Sequence, residues 1–194
     1  MFFAEEDDKK DAEKKDGFNQ KLLDARTIIL TGEVDSELAE KVMAQLLVLD
    51  SISHDPIKMV ITSNGGHVDS GMAIYDMMRF VKSDVIALGA GWVVSIAVPI
   101  LLGAKKEHRF ALPNTRFMIH QPLGGAGGPA ADVRIAAQEI IKIRERINRM
   151  IAEETGQPVE KVAKDSDRNF WMTADEALDY GLISKIVHSP DEMV

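Results

Sequence analysis

Ser95 is the only hydroxyl in an uncharged stretch, VIALGAGWVVSIAVPILLGA at residues 85–104, and it falls where a short strand would turn into a buried helix. The first amides of a helix have no internal acceptor, and the positive end of its dipole favours an alkoxide or oxyanion forming there. Ser95 thus has the surroundings of a nucleophile. The position also suits an N-cap or a satisfied buried hydroxyl, the commoner role for a serine so placed.

His120 closes an apolar run, Phe117-Met118-Ile119, and is followed by Gln121-Pro122-Leu123-Gly124-Gly125-Ala126-Gly127-Gly128. An imidazole at the end of a strand can serve as a general base, although most such histidines are structural. The glycine run beyond it has few side chains and free backbone edges, so it is either a plain loop or a strand able to pair with an extended peptide of any sequence. Ser63-Asn64-Gly65-Gly66 follows a second apolar run and reads as a turn. An outward amide there is an oxyanion donor when it lies opposite another, such as that of Ile96.

The chain that must position these groups has 194 residues, 45% of them apolar and 28% charged, which fits one globular domain. Its net charge of -8, from 31 acidic and 23 basic side chains, makes nucleic acid a poor partner. The absence of cysteine excludes disulfides, a thiolate nucleophile and thiolate-bound metal, and the five histidines lack metal-ligand spacing. No metal or organic cofactor is implied. Residues 1–17 form a mixed-charge arm without the apolar core of a secretory signal, so a cytoplasmic location is expected, with residues 18–194 as the folded domain. The stretch at 85–104 is long enough to span a bilayer, but Gly89, Gly91, Pro99 and Gly103 punctuate it, and a buried strand, turn and helix is the better reading.

The remaining pattern alternates strands and helices. Strands are expected at Thr27–Leu30, Lys58–Thr62, Val85–Leu88 and Phe117–His120, with helices from Asp35-Ser36 to about Leu49 and from Val68 to Val81. Between Asp132 and Glu154 the apolar residues Val133, Ala136, Ile140, Ile143, Ile147 and Met150 recur in steps of three and four. That is a narrow stripe on a long charged rod, suited to a partner copy or to lying along its own domain. Thr173-Ala174-Asp175-Glu176 is a capping box for a last helix ended by Gly181, and Leu182–Val187 a final strand.

From about Phe18 to Val187 the sequence resembles the Clp protease proteolytic subunit family, self-compartmentalised serine peptidases. The carriers are Ile29-Leu30-Thr31-Gly32, Ser63-Asn64-Gly65-Gly66, Gly71-Met72-Ala73-Ile74-Tyr75-Asp76, Gly91-x-x-x-Ser95 and, most specifically, Phe117 to Gly125. The resemblance implies an α/β, crotonase-like fold, rings of seven subunits stacked through the long helix, and a separate ATP-driven unfoldase that feeds polypeptide substrates. It implies Ser95 as nucleophile, His120 as base, Gly66 and Ile96 as oxyanion donors, and Gln121, Pro122, Leu123, Gly124 and Gly125 in the substrate-pairing strand. It also implies departures. Asn169 stands where the family's triad aspartate is expected, Phe170 replaces the following arginine, and Trp92-Val93-Val94 is bulkier than the family pattern before the serine, which predicts a tighter pocket. Together these point to a second-type subunit, weak alone and active with a partner subunit, or to a catalytically impaired ring component. A coenzyme-A-handling enzyme would also use two oxyanion amides but gives no reason for the His-Gln-Pro-Leu-Gly-Gly segment.

Overall fold

The computed structural model describes residues 17–193, so the arm expected over 1–17 lies, but for Gly17, outside the described residues. After a helix described over 17–24 (α1), β1 (Thr27–Val34), α2 (Ser36–Ile52), β2 (Ile57–Gly66), α3 (Val68–Phe80), β3 (Val85–Val94) and α4 (Ala97–Leu102) alternate. Then come β4 (Arg109–Ala111), β5 (Arg116–Ile119), α5 (Ala130–Thr155), α6 (Val159–Asp165), β6 (Phe170–Met172), α7 (Ala174–Tyr180) and β7 (Lys185–Ile186).

The sheet runs β1-β2-β3-β4-β7, all parallel, with β5 parallel to the end of β3 and β6 antiparallel to β5. Parallel strands are covered on both faces, which is why their sequences are near-continuous apolar runs. Ile28, Leu30, Met59, Ile61, Ala87 and Val93 are buried in this core. The Asp35 carboxylate caps α2 by accepting from the Leu38 amide at 2.8 Å, and both halves of the Thr173–Glu176 capping box form.

Two sequence expectations change. The segment Asn64-Gly65-Gly66 is not a turn but the end of β2, where Gly65 and Gly66 pair with Glu33 and Val34 after a register shift. β3 continues past Leu88 to Val94, so the uncharged stretch divides into a ten-residue strand and a six-residue helix. Among the described residues no helix is long and apolar enough to cross a membrane.

α5 has 26 residues, and none before Ile147 is buried. Its C-terminal end is fixed by Arg109, which is 1% exposed. Arg109 donates to the carbonyls of Leu102 and Ala104 behind α4, to the Glu154 carbonyl and to the Glu154 carboxylate. Glu154 also accepts from Arg79 and the Tyr75 hydroxyl of α3, joining three helices at one point. Burial and the Glu154 charge together push the Tyr75 phenol above its ordinary value. Removing one member of a buried ion pair leaves its partners without compensation. Arg109→Met is therefore expected to lower the unfolding free energy by about 3–5 kcal/mol, read from the urea midpoint at unchanged m.

Candidate active site

β3 brings Ser95 to the N-terminal end of α4 with φ 58°, a left-handed conformation that costs a non-glycine residue about 1–3 kcal/mol. Its backbone is held on both sides: the Ser95 amide donates to Met118 O at 2.9 Å, and its carbonyl accepts from the Val98 amide at 3.0 Å. The side chain does not cap the helix. Ser95 Oγ lies 2.7 Å from Nε2 of His120, and Nδ1 of His120 lies 3.2 Å from Oδ1 of Asn169. Three groups far apart in the chain thus stand in series, each beside the end of a neighbouring strand: β3 before Ser95, β5 before His120 and β6 after Asn169.

Gly65 packs directly against this turn. With φ +86°, it sits where an added Cβ would lie 2.6 Å from Ser95 Cβ, 2.8 Å from Val94 O and 3.1 Å from the Ile96 amide nitrogen. Only a residue without a side chain fits so close an approach. Gly66 follows it at the end of β2, packed against Val34 of β1, and Ile96 directly follows Ser95. Sequence reading singled out Gly66 and not Gly65. The signal is the glycine pair itself: neither member has room for a Cβ, Gly65 facing Ser95 and Gly66 facing Val34, and which of them meets the serine depends on strands far apart in sequence.

A small cavity beside Ser95 and His120 is lined by Val68, Ile96, Pro99, Ile119, Pro122, Ile147 and Ile151. It is apolar, and α5 forms part of its wall through Ile147 and Ile151. Trp92, expected to crowd this cavity, is absent from it. The Trp92 side chain is 47% exposed and lies on the face of β3 opposite the fully buried Val93, while Val94 is buried as well.

Residues 121–127 join no strand ladder, and from Leu123, at 83% exposure, to Gly127 the segment is exposed. Gln121 uses its side chain inward, donating to the Asp167 carbonyl at 2.7 Å and so tying this segment to the loop that carries Asn169. Pro122 lines the cavity. Gly124 rests against α5, where a Cβ would come within 2.7 Å of Ile140 Cδ1.

The two nearby acids are engaged elsewhere. The Asp165 carboxylate meets Lys161 at 2.7 Å and the Tyr180 hydroxyl at 3.1 Å, and Asp167 meets Arg144 at 3.4 Å. Burial and the Asp165 carboxylate raise the Tyr180 phenol well above its ordinary value, so it stays a donor. Phe170 packs on Tyr180 with ring centroids 5.9 Å apart. The Ser166 hydroxyl donates to Asn148 of α5 at 2.9 Å, with both residues buried, so the Asn169 loop is moored to the long helix. Among the described residues no group of three or more His, Asp or Glu side chains is spaced to hold a metal ion.

An alcohol, an imidazole and an amide oxygen in series, beside a tight glycine strand on a mostly parallel α/β sheet, have the layout of a serine hydrolase. Residues 9–190 match the family model for Clp protease, and the chain belongs to that family. It is a protease of the Clp proteolytic-subunit type. ATP-dependent Clp protease proteolytic subunit 3 of Rhizobium etli is 50% identical over 168 residues, 87% of each chain. Proteolytic subunit 2 of Treponema denticola is 50% identical over 182 residues, 93% of this chain and 91% of that one. Among solved structures, an asparagine-to-aspartate mutant of ClpP1 from Listeria monocytogenes superposes with TM-score 0.85 at 51% identity, covering 91% of this chain and 99% of that one.

Proposed function

We propose that the chain is a serine endopeptidase subunit in which Ser95 attacks the scissile carbonyl, His120 takes and returns the proton, and Asn169 orients the imidazole. The observation that carries this reading is the 2.7 Å contact between Ser95 Oγ and His120 Nε2 at a strained, glycine-backed turn. The Ser95 proton moves to Nε2 as Oγ bonds the carbonyl carbon, and the amides of Gly66 and Ile96 receive the developing negative charge. The protonated imidazole then gives its proton to the leaving amine, and water repeats the sequence to release the acyl group. No metal or organic cofactor enters these steps.

The unpaired backbone at 121–127 supports binding of an extended segment by strand addition, with an apolar side chain in the cavity under Pro122. Substrates on this reading are unfolded polypeptides or short peptides. Partners are further copies of the chain in seven-membered rings joined through α5, whose unburied first half supports such a contact, and an ATP-driven unfoldase. A second kind of subunit is a further partner. Its presence would matter because an amide oxygen holds the imidazole without a charge to stabilise its protonated form.

A fluorophosphonate probe tests the assignment. Labelling is expected at Ser95, located by peptide mass mapping and abolished in His120→Ala. Labelling only after mixing with a related subunit would favour a chain whose site depends on that partner, and no labelling in either case would leave an assembly role.

A further inference from the structure

The chain has two tryptophans, Trp92 and Trp171, and they meet edge to face with ring centroids 5.6 Å apart. The Arg116 guanidinium lies 4.5 Å from the Trp171 centroid and 5.9 Å from that of Trp92. Trp92 and Arg116 are cross-strand partners in β3 and β5, and Trp171 is the partner of Met118, two positions along β5 from Arg116. All three side chains therefore share one face of the sheet. The register partners Val93, Phe117 and Met172 fill the opposite face and are buried in the core.

The three strands that form this stack are those beside Ser95, His120 and Asn169. β6 is the weakest of them, with three residues and β5 as its single neighbour. So short an edge strand has few backbone hydrogen bonds, and packing on its two faces must set its position. Met172 secures the inner face, and on the outer face Trp171 stacks on Arg116. With Trp92 47% and Trp171 37% exposed, neither ring is filling the core. Asn169 precedes β6 directly and reaches His120 at 3.2 Å through a neutral acceptor. A neutral hydrogen bond depends steeply on distance and direction, whereas a carboxylate would also attract a cationic ring at longer range.

Resting on the acyl-transfer reading, we propose that Trp92, Arg116 and Trp171 are positioning residues. Their cation–π stack holds β3, β5 and β6 in the register that lets Asn169 orient His120 toward Ser95. None of the three lines the cavity beside Ser95. Each acts through the strand that carries it.

The test uses the full chain with Arg116→Lys, Arg116→Met and Trp171→Phe, alone and combined with Asn169→Asp. Five quantities are read: the far-ultraviolet exciton band of the indole pair, the assembled mass, the rate of fluorophosphonate labelling at Ser95, and kcat and KM on a fluorogenic peptide. Arg116→Met is expected to alter the exciton band and to lower kcat and the labelling rate about tenfold, with KM and mass unchanged. Arg116→Lys should fall between it and the parent, because it keeps the charge but loses the planar stack. In the Asn169→Asp background the same loss should shrink to about twofold, a coupling that a purely structural role would not produce. If Arg116→Met does not fold, Arg116→Lys and Trp171→Phe carry the comparison. Equal losses in both backgrounds, or an altered exciton band with unchanged kcat, would overturn the proposal. A parent chain left unlabelled both alone and mixed with a related subunit overturns the acyl-transfer reading and this proposal together, while a labelled parent with an unaffected Arg116 series overturns this proposal alone.

Discussion

Ser95→Ala is expected to abolish covalent labelling and to lower peptidase kcat by about six orders of magnitude in a fully competent site, the loss found when a serine nucleophile is removed. In a chain whose base is oriented by an amide the starting rate is lower, so the measured ratio is smaller while the residual rate is the same. That residue is what the oxyanion amides and substrate binding supply without the nucleophile. The assembled mass should not change, because the Ser95 hydroxyl makes a single hydrogen bond, to His120 of the same chain. Ser95→Gly separates chemistry from strain. Its activity should fall to the same floor, yet it should be about 1 kcal/mol more stable than the parent, since glycine adopts a φ of 58° without the clash a Cβ brings. Equal stability of the glycine and parent chains, measured by urea unfolding, would mean that the turn stores no strain.

Asn169→Asp carries the second large effect, and its sign is upward. A triad that exchanges aspartate for asparagine with its geometry kept loses about 10⁴ in kcat. At about 1.4 kcal/mol per decade that is 5–6 kcal/mol of barrier. Part of that loss comes from an amide that turns its nitrogen to the ring and holds the wrong tautomer. Here Oδ1 faces Nδ1 of His120 at 3.2 Å, an arrangement that favours a proton on Nδ1, so the deficit a carboxylate would repair is chiefly the missing charge. Restoring the carboxylate should raise kcat by at least about tenfold, with KM little changed because the group acts after binding. Labelling by the fluorophosphonate should accelerate in parallel. A flat response in both would place the limit on assembly or on the cavity beside Ser95.

Much of this was legible in the chain itself. The α/β class follows from apolar runs alternating with amphipathic segments, since each element must bury one face and the period of its side chains reveals which element it is. The start of α2 at Asp35, the capping box at Thr173 and the end of α7 at Gly181 were local signals, because they satisfy backbone groups within a few residues. Ser95 and His120 stood out as polar residues in apolar runs, and Asn169 through the resemblance, each by type and place.

Other features depend on strands that meet only in the folded protein. Asn64 to Gly66 looked like a turn because paired glycines usually make one, and their pairing with Glu33 and Val34 is a long-range choice. Trp92 looked like part of the Ser95 pocket because it lies three residues away in sequence, but alternation along β3 sends its side chain to the opposite face, onto Arg116 and Trp171. The chain alone determined the element types and the candidate chemical groups, because period, caps and residue type are short-range properties. Only the tertiary structure decided the register of β3, β5 and β6, and with it whether an alcohol, an imidazole and an amide from separate segments come within hydrogen-bonding distance, because strand pairing is set by contacts between residues distant in sequence.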